Sequence, residues 1–438
     1  EFGGAIPQTR AAGLAIGLDW LVVTDHSCDL DSIDADANGR SRWERLKAEI
    51  SQESDQAFRF ILGEEITLVC EGDRFLHMLA MGGMNENIRG EFLPDSSDNR
   101  LVHLCSKAIK NILLLGKGYS PDMLQGMFGK VYRFKDVLGM LPHKTLTFAA
   151  HPYGIAQVPP AKWDQRDLAN LRLTGHEFWN TRVRCKASRT DDPFSEPAWY
   201  DQAACRQNDL TRIQKLKEQA LELWDPHLQQ GVEEWNGSTA LPVRRPVFIA
   251  GSDAHGDFNY HAGMAWDYTE ADMIDDNALG RVRTVIYLPG YDSNTAPKTD
   301  TILAALKKGS CIVTDGPILE FSLRRNGQVA YMGDSLLING EEQPEIQIEA
   351  FSTTEFGPVS QVEVLVYFKS QQGKPAQVIL KPGKSKKIPM AGERGYCRIQ
   401  AQTLGEGGEG FCCFTNPIWF RVAGSPEGKF FRAIYKAG

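Results

Sequence analysis

The sequence of 438 residues lacks a long apolar run and an excess of basic residues. Its most apolar stretch, residues 11–23, contains Asp19 and falls short of the ~18 to 20 unbroken apolar residues that a membrane-spanning helix requires. Because 56 acidic residues outnumber 48 basic ones, no overall positive field attracts nucleic acid, which leaves only a local basic patch for such a partner. We therefore expect a small-molecule substrate, and neither a membrane nor a nucleic acid as partner.

The sequence also lacks a disulfide framework and a recognisable signal peptide. Its nine cysteines are an odd number spread over the chain, and the closest pair, Cys412 and Cys413, has no CxxC partner that would indicate a zinc knuckle. Residues 1–4 show neither a basic nor an apolar leader segment, so a leader was either never made or already removed. We therefore expect reduced thiols and a cytoplasmic protein.

Two common catalytic motifs are missing as well. A Gly-x-Ser-x-Gly elbow does not occur, which argues against an α/β-hydrolase. The stretch Gly383-Lys384-Ser385 lacks the upstream glycine of a P-loop, so a phosphate cradle is not indicated.

Up to about Pro289, short apolar runs alternate with segments of helical periodicity, which is typical of βα units and a mostly parallel sheet. Strands are predicted at residues 18–24, 58–62, 75–81, 146–150, 247–250 and 284–288. Helices are predicted at residues 40–56, 101–114, 120–140, 209–223 and 301–308. The pattern therefore favours an α/β domain over residues 1–314.

Two further regions differ from this pattern. After about Asp315, short alternating strands separated by turns such as Asn326-Gly327 predict an antiparallel sandwich over residues 315–438. Residues 152–245 are long for a βα connection and contain five tryptophans, which favours an insert that forms a lid or pocket. Tryptophans that simply fill a helical core are the alternative.

Several predicted strands of the first domain end in an acid or a histidine. Because the C-terminal ends of parallel barrel strands meet on one face, such side chains can converge there. Imidazole and carboxylate groups are ligands for Zn²⁺, Mn²⁺ or Fe ions, and these ions lower the pKa of water and polarise a substrate oxygen. A single histidine at a strand end is more often structural, but several in the same position favour metal-dependent hydrolysis.

In order and spacing, these residues resemble the PHP (polymerase and histidinol phosphatase) superfamily. The motifs that carry the resemblance are Thr24-Asp25-His26, Gly63-Glu64-Glu65-Ile66-Thr67, His77-Met78-Leu79, Ala150-His151-Pro152 and Gly251-Ser252-Asp253-Ala254-His255. Leu223-Trp224-Asp225 and Thr314-Asp315-Gly316-Pro317 are similar to the carbaryl-hydrolase-like branch. The resemblance implies a distorted (β/α)7 barrel, followed by a C-terminal all-β, immunoglobulin-like sandwich, with two or three divalent ions (Zn, Mn or Fe) at the strand ends.

Carried over residue by residue, the resemblance implies the metal ligands His26, Glu65, His77, His151, Asp253 and His255. Asp253 and His255 are also implied to handle protons, and Asp25 and Glu64 to orient the ligands. Trp179, Arg182 and His261 are candidates for the substrate pocket. For Arg182, a solvated charged surface is the alternative.

The family's first strand, which carries a His-x-His motif, has no counterpart here, so we expect that the chain is truncated or lacks an N-terminal segment. The implied activity is hydrolysis of a phosphoester, or of a carboxylic or carbamic ester or amide, by a metal-bridging hydroxide. The ligands do not separate these substrates, because both reactions use the same nucleophile. The alternative is a catalytically impaired PHP-like scaffold whose β-sandwich binds a partner or a glycan.

Overall fold

The fold is that of a computed structural model, which describes strands, helices and connecting segments in the following parts of the chain. The described residues are 6–25, 42–70, 74–82, 133–152, 163–180, 183–186, 213–214, 216–218, 220–235, 239–252, 273–276, 279–280, 282–291, 295–339, 343–369, 373–388, 394–406 and 408–423. In these residues, none of the helices has the length and apolar character needed to cross a membrane.

Strands outnumber helices in this part of the chain. The helices are α1 (Ile6–Ala15), α2 (Arg42–Glu53), α3 (Phe134–Met140), α4 (Gln165–Leu168), α5 (Asp225–Glu234) and α6 (Thr299–Lys308), with a π-helical turn (Ala220–Trp224) before α5. The first ten strands are β1 (Trp20–Val23), β2 (Arg59–Cys70), β3 (Arg74–Met81), β4 (Leu146–Ala149), β5 (Gly175–Asn180), β6 (Val183–Lys186), β7 (Val247–Gly251), β8 (Met273–Asp276), β9 (Arg283–Ile286) and β10 (Cys311–Thr314). The other ten are β11 (Ile318–Arg325), β12 (Gln328–Ala330), β13 (Ser335–Asn339), β14 (Glu345–Phe351), β15 (Val362–Phe368), β16 (Ala376–Leu380), β17 (Lys386–Lys387), β18 (Arg394–Leu404), β19 (Gly410–Thr415) and β20 (Ile418–Ala423).

The first sheet is mixed and has the strand order β1-β2-β3-β4-β5-β7. The pairs β1–β2, β4–β5 and β5–β7 are parallel, whereas β2–β3 and β3–β4 are antiparallel. The predicted (β/α)7 barrel is therefore wrong, because its neighbouring strands would all be parallel and joined through helices.

The reason lies in the length of β2. The predicted strand at 58–62 continues to Cys70, and β3 begins at Arg74. Three intervening residues cannot form the parallel crossover of roughly 10 to 12 residues that a βα unit requires, so β2 and β3 pair as an antiparallel hairpin.

Both faces of the first sheet are apolar and follow the strand period of two. On β2, Phe60 and Leu62 pack in an outer cluster with α2 and α3, whereas Ile61 faces an interior cluster. We call the latter the interior core. Its members come from β2, β3, β4, β7, β10 and α6, so the sheet curls around it; they include Ile61, Leu79, Met81, Leu146, Phe148, Val247, Ile249, Ile302, Leu306 and Cys311.

Side chains satisfy part of the backbone of β7. Asn416 accepts a hydrogen bond from the Phe248 N–H (3.1 Å) and donates one to the Phe248 carbonyl (3.0 Å). The hydroxyl of Thr284 on β9 does the same for Ala250, at 2.9 and 2.8 Å. Backbone groups left unpaired at the edge of a sheet can bind another chain. The side chains of Asn416 and Thr284 satisfy such groups on β7, so they protect this edge and help to keep the sheet curled.

The second half of the chain forms two sheets around a common apolar core. The larger sheet has the order β13-β20-β18-β19-β10-β9, with β15 paired to β18 and β16 paired to β15. The smaller sheet has the order β12-β11-β14-β17. Strands β9 and β10 precede residue 315, so the larger sheet is shared between the two halves of the sequence. A separate immunoglobulin-like sandwich beside a barrel is therefore not what forms; the domain boundary itself stays a prediction.

A buried ion pair connects α5 to this larger sheet. Arg398 on β18 donates to both carboxylate oxygens of Asp225, from Nε at 3.0 Å and from Nη2 at 2.6 Å. The Tyr396 hydroxyl donates to Oδ1 of Asp225 at 2.8 Å, and the Arg398 guanidinium lies 4.9 Å from the Trp224 ring centre. Burial and the Asp225 charge raise the pKa of Tyr396 well above its ordinary value.

A second buried polar group lies between β5 and α5. His176 is fully buried, its ring centre lies 6.0 Å from that of His227, and neither of its ring nitrogens has a hydrogen-bond partner among the described residues. Burial, and after it the neighbouring His227, lowers the pKa of His176 to about 3. His176 is therefore neutral in the folded chain.

Asp225→Asn is expected to lower the free energy of unfolding by about 3 to 5 kcal/mol, because it leaves the Arg398 charge buried without its counter-ion. Denaturant titration followed by tryptophan fluorescence measures this change. Arg10→Ala is the control, since it removes a partly exposed partner of Asp55 and should cost about 0 to 1 kcal/mol. Equal losses in the two variants would contradict the prediction.

Stability should fall with decreasing pH in a way that depends on His176. The unfolded chain binds a proton at this histidine below about pH 6.5, whereas the folded chain does not until about pH 3. This difference should cost about 1 to 2 kcal/mol between pH 6.5 and 5. His176→Phe should remove this contribution to the change in the free energy of unfolding between the two pH values, as measured by denaturant titration at each pH. An equal change in the variant and the wild type would contradict the prediction.

Candidate metal centre

Three side chains, two on neighbouring strands and one just after the next strand, place their donor atoms close to one another. Oε1 of Glu65 on β2 lies 2.7 Å from Nδ1 of His77 on β3. Nε2 of His151, which follows β4, lies 3.3 Å from the same oxygen and 3.2 Å from Nδ1 of His77. We call these residues the donor cluster; within the described part of the chain, it is the group of His, Cys, Asp or Glu side chains suited to hold a metal ion.

The strand register places Glu65 and His77 on the same face. Glu65 lies opposite Leu79 and His77 opposite Thr67, so the two side chains are diagonal neighbours on an antiparallel pair. Leu79 and Ile61, which share this face, belong to the interior core. The donor cluster therefore lies beside the interior core, within the curl of the sheet.

His151 joins the cluster by leaving the alternation of β4. Leu146, Phe148 and Ala150 face the interior core, so a continued strand would direct residue 151 to the opposite face. His151 instead adopts a φ of 28°, a left-handed value that costs a non-glycine residue about 1 to 3 kcal/mol. The Ala150 N–H donates to the His77 carbonyl at 3.0 Å, which holds this turn against β3.

The cluster is mostly buried but reaches solvent. Glu65 is 6% exposed, while the side chains of His77 and His151 are 19% and 17% exposed. A neutral imidazole has a lone pair on one nitrogen, and a carboxylate has only lone pairs. Because three such atoms converge, either imidazole N–H groups donate to the carboxylate and to each other, or a cation is shared by the three lone pairs.

The donor set fits a divalent metal ion. Donor atoms placed about 2.0 to 2.1 Å from a tetrahedral ion are separated from each other by about 3.3 Å. Two of the three separations, 3.2 and 3.3 Å, match this value, and the third, 2.7 Å, is a hydrogen-bond distance. Two imidazoles and one carboxylate are ligands that Zn²⁺, Mn²⁺ and Fe ions accept.

The structure thus brings together three of the six predicted ligands. The other three, His26, Asp253 and His255, lie outside the described residues, as do the pocket candidates Arg182 and His261. Their roles stay predictions.

Three further candidates are described. The carbonyl of Asp25 accepts a hydrogen bond from the Glu65 N–H at 3.1 Å, so the segment after β1 is joined to the middle of β2 through the backbone. Glu64 is half-buried and, by strand alternation, faces away from the interior core. Trp179 is buried in an apolar cluster with Phe178. The orienting roles of the two acids and the pocket role of Trp179 stay predictions.

Glu177 is a residue that the sequence analysis missed. It lies on β5, is 5% exposed, and its Oε2 accepts a hydrogen bond from the His151 N–H at 3.0 Å. The run Gly175–Asn180 was not predicted as a strand, although it carries an acid among apolar residues just as the other strands do. Recognising that strand would have added Glu177 to the candidates.

No family model, no curated protein and no solved structure matches this chain.

His77→Ala is expected to weaken Zn²⁺ binding by more than about 100-fold, because loss of a group that merely supports a ligand already costs about 10 to 100-fold. Isothermal titration calorimetry of the metal-free protein with Zn²⁺ measures this affinity. His143→Ala is the matched control, since His143 is an exposed histidine beside Arg172 and outside the donor cluster. Unchanged affinity in His77→Ala, or an equal loss in His143→Ala, would contradict the assignment.

Proposed function

We propose that the chain is a metal-dependent hydrolase in which the donor cluster holds a divalent cation. The observation that supports this most directly is the convergence of Glu65 Oε1, His77 Nδ1 and His151 Nε2 within 2.7 to 3.3 Å of one another. A bound cation of this kind lowers the pKa of a water molecule and polarises an oxygen atom of the substrate.

The exposure and the type of the donors favour a catalytic rather than a structural site. Structural zinc sites are closed and rich in cysteine, whereas catalytic sites combine histidine and carboxylate ligands and stay open to water. The described donors are two histidines and a glutamate, and both histidine side chains are reached by solvent. Such an arrangement gives water and a substrate access to the cluster.

Each described residue has a distinct part in this proposal. Glu65 supplies the negative charge that balances a cation in a largely buried place, and the two histidines bind as neutral donors. Extended strands hold Glu65 and His77, and the bond from the Ala150 N–H to the His77 carbonyl holds the turn at His151 against β3, which limits the motion of all three. His26, Asp253 and His255 are proposed as additional ligands for two or three ions in total, and Asp253 and His255 as the groups that handle protons.

The proposed substrate is a small molecule with a phosphoester bond, or with a carboxylic or carbamic ester or amide bond. All of these bonds place an electrophilic phosphorus or carbon atom next to an oxygen that a cation can polarise. The motif resemblance to PHP metallohydrolases supports the same reaction class, although the fold is not the barrel that this resemblance implied.

Glu65→Gln is expected to lower kcat/KM by at least about 100-fold, because the variant lacks the anionic donor of the cluster. The measurement is release of the aryl group from an aryl phosphate monoester, a diester and an aryl carbamate, each with Mn²⁺ or Zn²⁺. Glu233→Gln serves as the control, since Glu233 accepts a hydrogen bond from Tyr367 away from the donor cluster.

Two results would overturn the proposal. One is full activity in Glu65→Gln. The other is a wild-type protein that binds Zn²⁺ stoichiometrically but hydrolyses none of the three substrate types with either metal, which would indicate a metal-binding scaffold without catalysis.

A further inference from the structure

Glu177 lies where two strand ends meet beside the donor cluster. Its strand, β5, is parallel to both β4 and β7, and His151 is the second residue after the end of β4. The pairing of β5 with β7 shifts register between Glu177 and Trp179. Such bulges redirect a side chain at the end of a strand, and here the carboxylate of Glu177 reaches the backbone of His151.

The hydrogen bond from the His151 N–H to Glu177 is made at a residue with an unusual backbone conformation. Oε2 of Glu177 accepts from the N–H of His151 at 3.0 Å, and His151 has the left-handed φ of 28°. This φ is the angle that turns its imidazole toward Glu65 and His77. An acceptor fixed on that N–H therefore selects the backbone conformation that the donor cluster requires.

Gly251 at the end of β7 leaves space for the other carboxylate oxygen. A Cβ atom added at Gly251 would lie 3.1 Å from Oε1 of Glu177, which is tighter than an ordinary van der Waals contact. A side chain at this position would therefore displace Oε1 by a few tenths of an ångström.

We infer that Glu177 is a positioning residue for the metal centre: its carboxylate, bound to the His151 N–H, fixes the His151 imidazole in the orientation that binds a cation. This inference rests on the proposed function. The hydrogen bond itself does the positioning, so an amide oxygen that accepts from the same N–H can replace the carboxylate with a small loss of strength, whereas a side chain without an acceptor cannot.

The test compares two substitutions at Glu177. Glu177→Met keeps the length of the side chain but removes the acceptor, and should weaken Zn²⁺ binding by about 10 to 100-fold and change the visible absorption of bound Co²⁺. Glu177→Gln keeps an acceptor oxygen, and should stay within about fivefold of the wild type with a similar Co²⁺ spectrum. Glu233→Met and Glu233→Gln are the matched controls and should leave both measurements unchanged.

The outcomes separate this inference from the proposed function. A wild-type protein that binds neither Zn²⁺ nor Co²⁺ overturns the proposed function. A wild-type protein that binds both, together with a Glu177→Met variant of unchanged affinity and spectrum, overturns only the role of Glu177.

If Glu177→Met does not fold, Gly251→Ala takes its place. The added methyl group pushes against Oε1 of Glu177 without altering any donor atom, and should weaken Zn²⁺ binding severalfold and change the Co²⁺ spectrum. Unchanged values for folded Gly251→Ala overturn the inference.

Discussion

The antiparallel register of β2 and β3 is the constraint on which the donor cluster depends. It places Glu65 of β2 opposite Leu79 of β3. His77 lies two residues before Leu79 on β3 and therefore on the same face of the sheet as Glu65. A slip of one residue would turn either side chain toward the outer cluster, where Ile66 and Met78 are buried. Since both faces of these strands are apolar, such a slip would bury a carboxylate or an imidazole without its partners, and this cost keeps the register unique.

The remainder of the structure keeps this sheet curled. Side chains of Asn416 and Thr284 satisfy the backbone of β7, and β10 contributes to both the interior core and the larger sheet. Asp225 and Arg398 form a fully buried, bidentate pair between α5 and the larger sheet. A buried pair of this kind adds little net stability, but it permits one arrangement of its two elements, because any other would leave a charge unpaired.

The positions of the strands could be predicted from sequence, but their directions could not. Strands β3, β4, β7 and β9 begin and end within two residues of their predicted limits, because short apolar, β-branched runs are a local property. The length of β2 was missed, since Gly63 to Glu65 was interpreted as the end of a strand. The barrel that the motif resemblance implied is incorrect, because the longer β2 pairs with β3 as an antiparallel hairpin.

The sequence by itself determined which donor groups are available: acids and histidines in or just after short apolar strands, among them Glu65, His77 and His151. Only the tertiary structure decided that these three donors meet, that His151 reaches them through a left-handed turn, and that Glu177 holds that turn. The physical reason is that residue type and local periodicity act over a few residues, whereas strand direction and register result from pairing between distant segments.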